Sequence, residues 1–307
     1  SLYVSAEESA AQVSVRAERL SADPDDLWLV AAGDVDALLV ETTRIEPSLV
    51  VVDSVQTMHT NDASSGPLAQ VREVTRRLVE AAKGRGLTMV VIGQVTKDGD
   101  LAGPKALEHL VDTVLSFEGD RHHSLRFLRA AKHRFGATGE VGLFEMAADG
   151  LQAVVDPSSV FLSDRVTGVP GSIVVPVLEG HRPLLVEAQA LVSPRVMMQP
   201  RRTAQGLDHG RVSLLAAVLE QRGRVQLHEH DIHTSTVGGV RVTEPAADLG
   251  VLLAMASAHL DRPVAPDIVA CGEVGLVGEV RRVADIERRL LEAQRLGFSR
   301  AIIPAST

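Results

Sequence analysis

The chain predicts two domains in tandem, an α/β domain on a mostly parallel sheet and then an α+β domain. Three observations lead there. Up to Gln94, short β-branched runs alternate with amphipathic stretches at the spacing of a doubly wound parallel sheet. Residues 110–117, 124–131 and 141–146 then read as strands with no helix between them, a sheet finishing in hairpins. Around Gly150 the sequence turns small and polar, and a second set of strands and helices begins at Ser172. We therefore expect a first domain over 1–155, a linker over 156–171 and a second domain over 172–307. A chain of 307 residues can bury two cores.

Residues 2–4 form the first strand, and Ser5 with Glu8 is a capping-box pattern opening a helix to about residue 20. Residues 27–30 make a second strand, and Asp34 precedes a helix. Leu49–Asp53, LVVVD, is the uninterrupted run that a strand buried on both faces requires. Gly66-Pro67 opens a helix to about Lys83, with Leu68, Val71, Val74, Leu78 and Ala81 on one stripe. Thr88–Ile92 is the next strand. In the second half, 172–178 and 184–191 make a hairpin around Gly180-His181, and 201–207 is a polar connection. A helix over 208–221 follows, then strands over 225–233 and 240–242. Helices over 245–259 and 286–296 alternate with strands over 268–271 and 301–303.

Composition narrows the function classes. Hydrophobic residues at 45% and charged residues at 23% describe a soluble globular chain. A net charge of −9 and 3% aromatics argue against a general nucleic-acid coat, while leaving a local basic channel open. Cys271 is the sole cysteine, which excludes a disulfide framework or multi-Cys zinc site in this chain and fits a reducing cytoplasm. No apolar run reaches membrane-spanning length and no signal peptide is visible. SLYVS reads as mid-strand, so a further N-terminal segment is expected upstream.

Individual residues carry chemistry to different degrees. A carboxylate at the C-terminal end of a parallel strand, as Asp53 is, sits where open α/β sheets bind ligands. It is either an ordinary strand end or the acid that holds Mg²⁺ through its water shell in a nucleotide-hydrolysing ATPase. Glu7 and Glu8 on their own complement a helix N-terminus. Lys132 and Arg134, two residues apart at a strand's end, project to one face, and on their own read as a solvated basic edge. His228, His230 and His233 with Asp231 resemble a metal cluster. A regular strand, however, turns His233 to the opposite face, and no complete ligand set is evident. Cys271 reads as a packed small hydrophobe.

LYVSAEES, LVVVDSVQTM, QVREVTRRL, VVIGQVTKDGDLAGPKALEHLVDTVLSFEGD and LRAAKHRFGATGEVGLFEM resemble, in order, the core of the bacterial RadA (Sms) family. The resemblance implies a RecA-like ATPase core and an ATP-driven, ring-shaped helicase on single-stranded DNA that extends recombination intermediates. It makes Glu7 the general base orienting the attacking water, with Asp53, helped by Ser54, at the Mg²⁺. Gln94, where the family often has His, becomes a sensor of the γ-phosphate. The glycine-rich segment 95–105, with Lys97, Gly99, Gly103 and Lys105, becomes the loop that touches DNA in the ring's central hole. KHRFG matches the family's KNRFG with His133 in place of Asn, and Lys132 and Arg134 become trans fingers on a neighbouring subunit's nucleotide. ATP and Mg²⁺ are the implied cofactors, with zinc only in a Cys₄ module upstream. The implied partners are a RecA-type recombinase and five further copies of the chain in a hexamer.

No G-x-x-x-x-G-K-[ST] loop occurs in these residues, so the phosphate cradle is expected upstream and the chain alone is expected to be a poor ATPase. A truncated, non-hydrolysing DNA-binding or assembly scaffold is the alternative. GGVRVTEPAADLGVLLA and CGEVGLVGEVRRVADIERRLLEAQRLGFSRAIIP resemble the Lon protease domain. That domain cleaves with a Ser–Lys dyad, and on its pattern the serine falls at Ala246 and the lysine at Glu287. We therefore expect an inactive Lon-like platform. Arg201, Arg202, Arg281, Arg282, Arg288 and Arg289 are candidates for a basic face toward duplex DNA.

Overall fold

The computed structural model describes residues 1–22, 24–60, 66–94, 107–119 and 125–305. The chain falls into two compact units. One is formed by Ser1–Ser116, Ala130–Thr138 and Ala147–Leu151, the other by Phe117–Arg129, Gly139–Met146 and Gln152–Thr307. The second unit thus takes three stretches, 117–129, 139–146 and 152–155, from the part expected as the first domain.

In the first unit, β1 (Leu2–Ser5), β2 (Trp28–Ala31), β3 (Leu49–Asp53) and β4 (Thr88–Ile92) form a parallel sheet in the order β2-β1-β3-β4. Ser5 lies level with Asp53, and Asp53 with Ile92, so three strands end side by side. The helices are α1 (Ala10–Arg19), α2 (Val35–Ile45) and α3 (Pro67–Arg85). Leu2, Val4, Val50 and Val52 are fully buried together with Val35 and Leu38 of α2 and Val74 of α3. The other face is open in part, with Val90 47% and Ile92 37% exposed. This corrects the expectation that β3 is buried on both faces. Valine at 50, 51 and 52 hides the alternation, and packing against α2 and α3 covers one side.

Each helix start has a local cause. The capping box of α1 is Ser9 with Gln12, where Ser9 N donates to Gln12 Oε1 at 3.0 Å, one turn after the expected Ser5–Glu8 pair. Glu8 N still donates to Ser5 Oγ at 2.9 Å. Asp34 caps α2 by accepting from Asp36 N at 3.0 Å. α3 opens at Pro67 and stops at Gly86, whose φ of +65° is the left-handed conformation glycine adopts without strain. Val71, Val74 and Leu78 of its stripe are buried, whereas Leu68 is exposed.

A second sheet has the order β5 (Thr113–Gly119), β6 (Leu125–His133), β7 (Val141–Ala147) and β8 (Gly150–Ala153), the last not foreseen. β6 and β7 run antiparallel, with Leu125 opposite Glu145 and Arg129 opposite Val141.

The second unit is built on a mixed sheet. Its strands are β9 (Ser172–Glu179), β10 (Arg182–Pro194), β11 (Arg202–Gln205), β12 (His230–Thr236), β13 (Ile268–Ala270) and β16 (Arg300–Ile302), in the order β11-β12-β10-β9-β13-β16. β14 (Glu273–Val274) and β15 (Val280–Arg281) pair separately. Four helices accompany them: α4 (Pro157–Leu162), α5 (His209–Gln221), α6 (Asp248–Leu260) and α7 (Ile286–Arg295). Ile173, Val175, Leu184 and Val186 join Leu215 of α5 and Met255 of α6 in one core. Val174 and Leu185 face the other way, onto Ala293 and Leu290 of α7. β9 is thus covered on both sides.

Three local expectations change. Residues 156–171, expected as a linker, contain α4. Residues 202–205, expected as a polar connection, form β11, an edge strand whose outer positions face water. The strand expected over 225–233 begins at His230, and of 240–242 only an isolated bridge between Leu207 and Val242 is present. At the β9–β10 turn, Gly180 has φ of +61°, and a Cβ there would lie 2.0 Å from Gly139 O. Among the described residues no helix is long and apolar enough to cross a membrane.

Candidate functional site

The level ends of β1, β3 and β4 gather the side chains singled out in the first half. Ser54, fully buried just past β3, donates from Oγ to Glu7 Oε1 at 2.7 Å. Gln94, just past β4, directs Nε2 at both Glu7 oxygens at 3.4 Å. Asp53 ends β3 and accepts the hydroxyl of Tyr3 on Oδ2 at 2.5 Å. Burial, then that bond and the Asp53 charge, push the Tyr3 phenol up to about 12. The Asp53–Ser54 peptide is cis. Gln56 donates from Nε2 to Gln94 O at 3.2 Å, while its Oε1 is buried with no partner among the described residues.

A hard divalent cation takes carboxylate and hydroxyl oxygens or their bound waters. Asp53 Oδ1 has no hydrogen bond among the described residues, and the next residue, Ser54, carries a hydroxyl, so these donor types fit Mg²⁺. Glu7 is held from two sides, by Ser54 and Gln94, at the edge of the same cluster.

Lys132 and Arg134 gather elsewhere in the unit, and no hydrogen bond or ion pair among the described residues joins them to Glu7 or Asp53. Lys132 Nζ donates to Glu108 O at 2.6 Å and Val111 O at 2.8 Å. Arg134 pairs with Asp112 at 2.8 Å while its side chain stays 59% exposed. His133, the departure from the family's Asn, meets Thr113 Oγ1 through Nδ1 at 2.9 Å. Lys97, Gly99, Gly103 and Lys105 lie outside the described residues.

In the second unit, Ala246 is buried in the turn before α6 and Glu287 is exposed on α7. Two ion pairs flank Ala246. Glu244 accepts from Arg289 at 2.7 and 2.6 Å and from Leu178 N at 2.6 Å, and Arg289 also donates to Pro176 O at 2.8 Å. Asp248 takes Arg211 Nε at 2.9 Å and Val274 N at 3.1 Å. A pocket of about 200 Å³ adjoins them, lined by Leu207, Val212 and Val242 among others. Arg289, 1% exposed, is therefore removed from the basic face proposed for duplex DNA. Its position on α7 did not reveal that, because the partner Glu244 is distant in sequence.

The histidines separate. His228 pairs with Glu220, His230 packs edge-on to His259 at 4.8 Å, and His233 meets Thr203 at 2.7 Å. No group of three metal-binding side chains occurs among the described residues. Burial pushes the Cys271 thiol up to about 11, as befits a packed rather than reactive cysteine.

Comparison with known proteins bears on both halves. Residues 211–307 match the family described as the Lon protease (S16) C-terminal proteolytic domain. Across the whole chain, a protein of Halalkalibacterium halodurans called DNA repair protein RadA is 48% identical over 305 residues, covering 99% of this chain and 67% of the relative. Chains of the same name from Bacillus subtilis, 48% identical over 307 residues, and Streptococcus pneumoniae, 47% identical over 308, cover 67% and 73% of those relatives. This chain belongs to the RadA family. A structure titled as a DnaB-like replicative helicase and its interactions with primase overlaps 49% of each chain at a TM-score of 0.41 and 12% identity, too slight a likeness to build on.

Within this RadA-family chain, the sequence pointed to Glu7, Asp53, Ser54 and Gln94, which the fold brings to one edge. It gave no role to Tyr3 or Gln56. Tyr3 shares the outer face of β1 with Ser5, but its meeting with Asp53 depends on β1–β3 register, which alternation alone does not specify. Arg211, Glu244 and Asp248 were also passed over, because each acquires its partner only through tertiary contact.

Proposed function

We propose that this chain is the motor and platform portion of a DNA-repair ATPase, a ring-forming helicase or branch-migration factor acting on single-stranded DNA during recombination. The observation that carries the reading is the meeting of Glu7, Ser54, Asp53 and Gln94 at the ends of three adjacent parallel strands. The relatives' name, DNA repair protein RadA, supports the repair context.

In this reading Glu7 holds and orients a water for attack on the terminal phosphate, accepting its proton. Asp53 with Ser54 is the holding point for Mg²⁺, which when bound draws negative charge from the phosphate oxygens. Gln94, bonded to Glu7 by its side-chain amide and to Gln56 by its backbone carbonyl, precedes the segment 95–105, where Lys97 and Lys105 are proposed to meet DNA phosphates. Lys132 and Arg134 are proposed to serve the nucleotide of the next subunit in a hexamer, with Arg134 exchanging Asp112 for phosphate. The Lon-like half is proposed as a non-cleaving assembly platform, because Ala246 has no nucleophile and Glu287 no amine. A cytoplasmic location, a RecA-type recombinase as partner and an upstream zinc module complete the proposal.

ATP turnover by the full-length protein that carries this chain, with and without single-stranded DNA, tests it. Turnover stimulated by DNA and lowered at least tenfold by Lys132→Ala or Arg134→Ala is the expected result, an arginine finger being worth about 10³–10⁵ in kcat at its strongest. Ring assembly and DNA binding without turnover would leave a scaffold instead.

A further inference from the structure

Tyr3 stands on the outer face of β1, level with Val51 of β3, while Asp53 is level with Ser5. The hydroxyl of Tyr3 therefore reaches diagonally along the sheet to Asp53 Oδ2, at 2.5 Å. Register fixes both Cα positions, and the rigid ring carries the phenol to that oxygen. Asp53 is thereby fixed in rotation, with one oxygen occupied. Its Oδ1 has no hydrogen bond among the described residues, and the neighbouring Ser54 hydroxyl is turned to Glu7.

We infer that Tyr3 is a positioning residue for a divalent cation, its hydroxyl holding Asp53 Oδ2 so that Oδ1, rather than Oδ2, meets the metal's water shell. The inference rests on the reading of Asp53 as the Mg²⁺ acid given above. The chemistry suits the task. A phenol offers one donor and no charge, so it orients a carboxylate without neutralising it, whereas a lysine or arginine would compete with the cation for the same charge. Groups that hydrogen-bond metal-binding carboxylates orient them and tune their affinity in this way. Tyr3 acts through Asp53.

The test uses Tyr3→Phe in the full-length protein, a change that keeps the ring packed on the sheet and removes only the hydroxyl. Mn²⁺ stands in for Mg²⁺, and its binding is read by electron paramagnetic resonance in the presence of the slowly hydrolysed analogue ATPγS. The expected result is a loss of about tenfold in Mn²⁺ affinity, the lower end of what losing such a supporting group costs. Affinity for ATPγS without metal stays unchanged. In turnover, the Mg²⁺ concentration for half-maximal rate rises by the same factor, while kcat at saturating Mg²⁺ is retained. A phenol with a merely structural role would leave the Mn²⁺ affinity where it was, and that outcome overturns the inference, as does tighter binding. Asp53→Asn separates the two levels of the argument. If it binds Mn²⁺ as the unaltered protein does, Asp53 is not the metal's acid and both readings fall. If it loses the metal while Tyr3→Phe does not, only the role of Tyr3 falls.

Discussion

Arg289 shows how a single residue changes meaning between sequence and structure. In the sequence it is one of several arginines near the C-terminus; in the fold its guanidinium is buried, with Glu244 taking two bonds and Pro176 O and Ala284 O the others. Removing one member of a buried pair leaves an unpaired charge, which costs about 3–5 kcal/mol. Arg289→Ala is therefore expected to lower stability by about that amount in urea unfolding followed by circular dichroism. Replacing both members, with Glu244→Gln and Arg289→Met, should recover much of the loss, since neither side is then left charged and unpaired. Ala246 lies between Glu244 and Asp248, so two fixed ion pairs flank the place where the Lon pattern puts its nucleophile.

At the scale of elements, α4 is held to α7 by charge. Asp156 caps α4 through Ser159 N at 3.1 Å and takes both Arg295 NH groups at 2.8 Å, while Arg295 also bonds Glu292. The bond from Arg295 holds Asp156 well below the usual carboxylate range and lowers Glu292 too. A carboxylate whose folded value is depressed stabilises the fold above its unfolded value, near 3.9 for Asp. That contribution is lost as pH falls below about 4 and through the folded values. Thermal unfolding followed from neutral pH into acid should show the midpoint falling more steeply for the unaltered chain than for Arg295→Ala. Equal slopes would mean the cluster contributes nothing to folding. The sequence missed α4 because its six residues are too few for a helical period to appear, and its cap and its docking residue are far apart in the chain.

The whole molecule adds a prediction about sharing. If Lys132 and Arg134 serve a neighbour's nucleotide, a protomer lacking Glu7 and one lacking Arg134 repair each other. Mixed rings of Glu7→Gln and Arg134→Ala subunits are then expected to turn over ATP well above either variant alone. One interface in such a mixture combines an intact Glu7 with an intact Arg134. Activity that never exceeds that of the separate variants would place both residues in service of the same protomer.

The sequence by itself determined the succession of strands and helices along the first half of the chain, because apolar runs and caps are written in neighbouring residues. Its motifs also carried the resemblance to the family, and that resemblance singled out Glu7, Ser54, Asp53 and Gln94. It also raised the expectation of a non-cleaving Lon-like half, because Ala246 and Glu287, where the Lon pattern puts its dyad, carry neither hydroxyl nor amine. Only the tertiary structure decided which face of β3 is buried, how residues 117–129 and 139–146 are assigned between the units, and that β11 is an edge strand. It alone decided the partners of Tyr3, Arg211, Glu244 and Arg289. Those outcomes depend on strand register and on contacts between residues far apart in the chain, and a period of 2 or 3.6 carries no record of either.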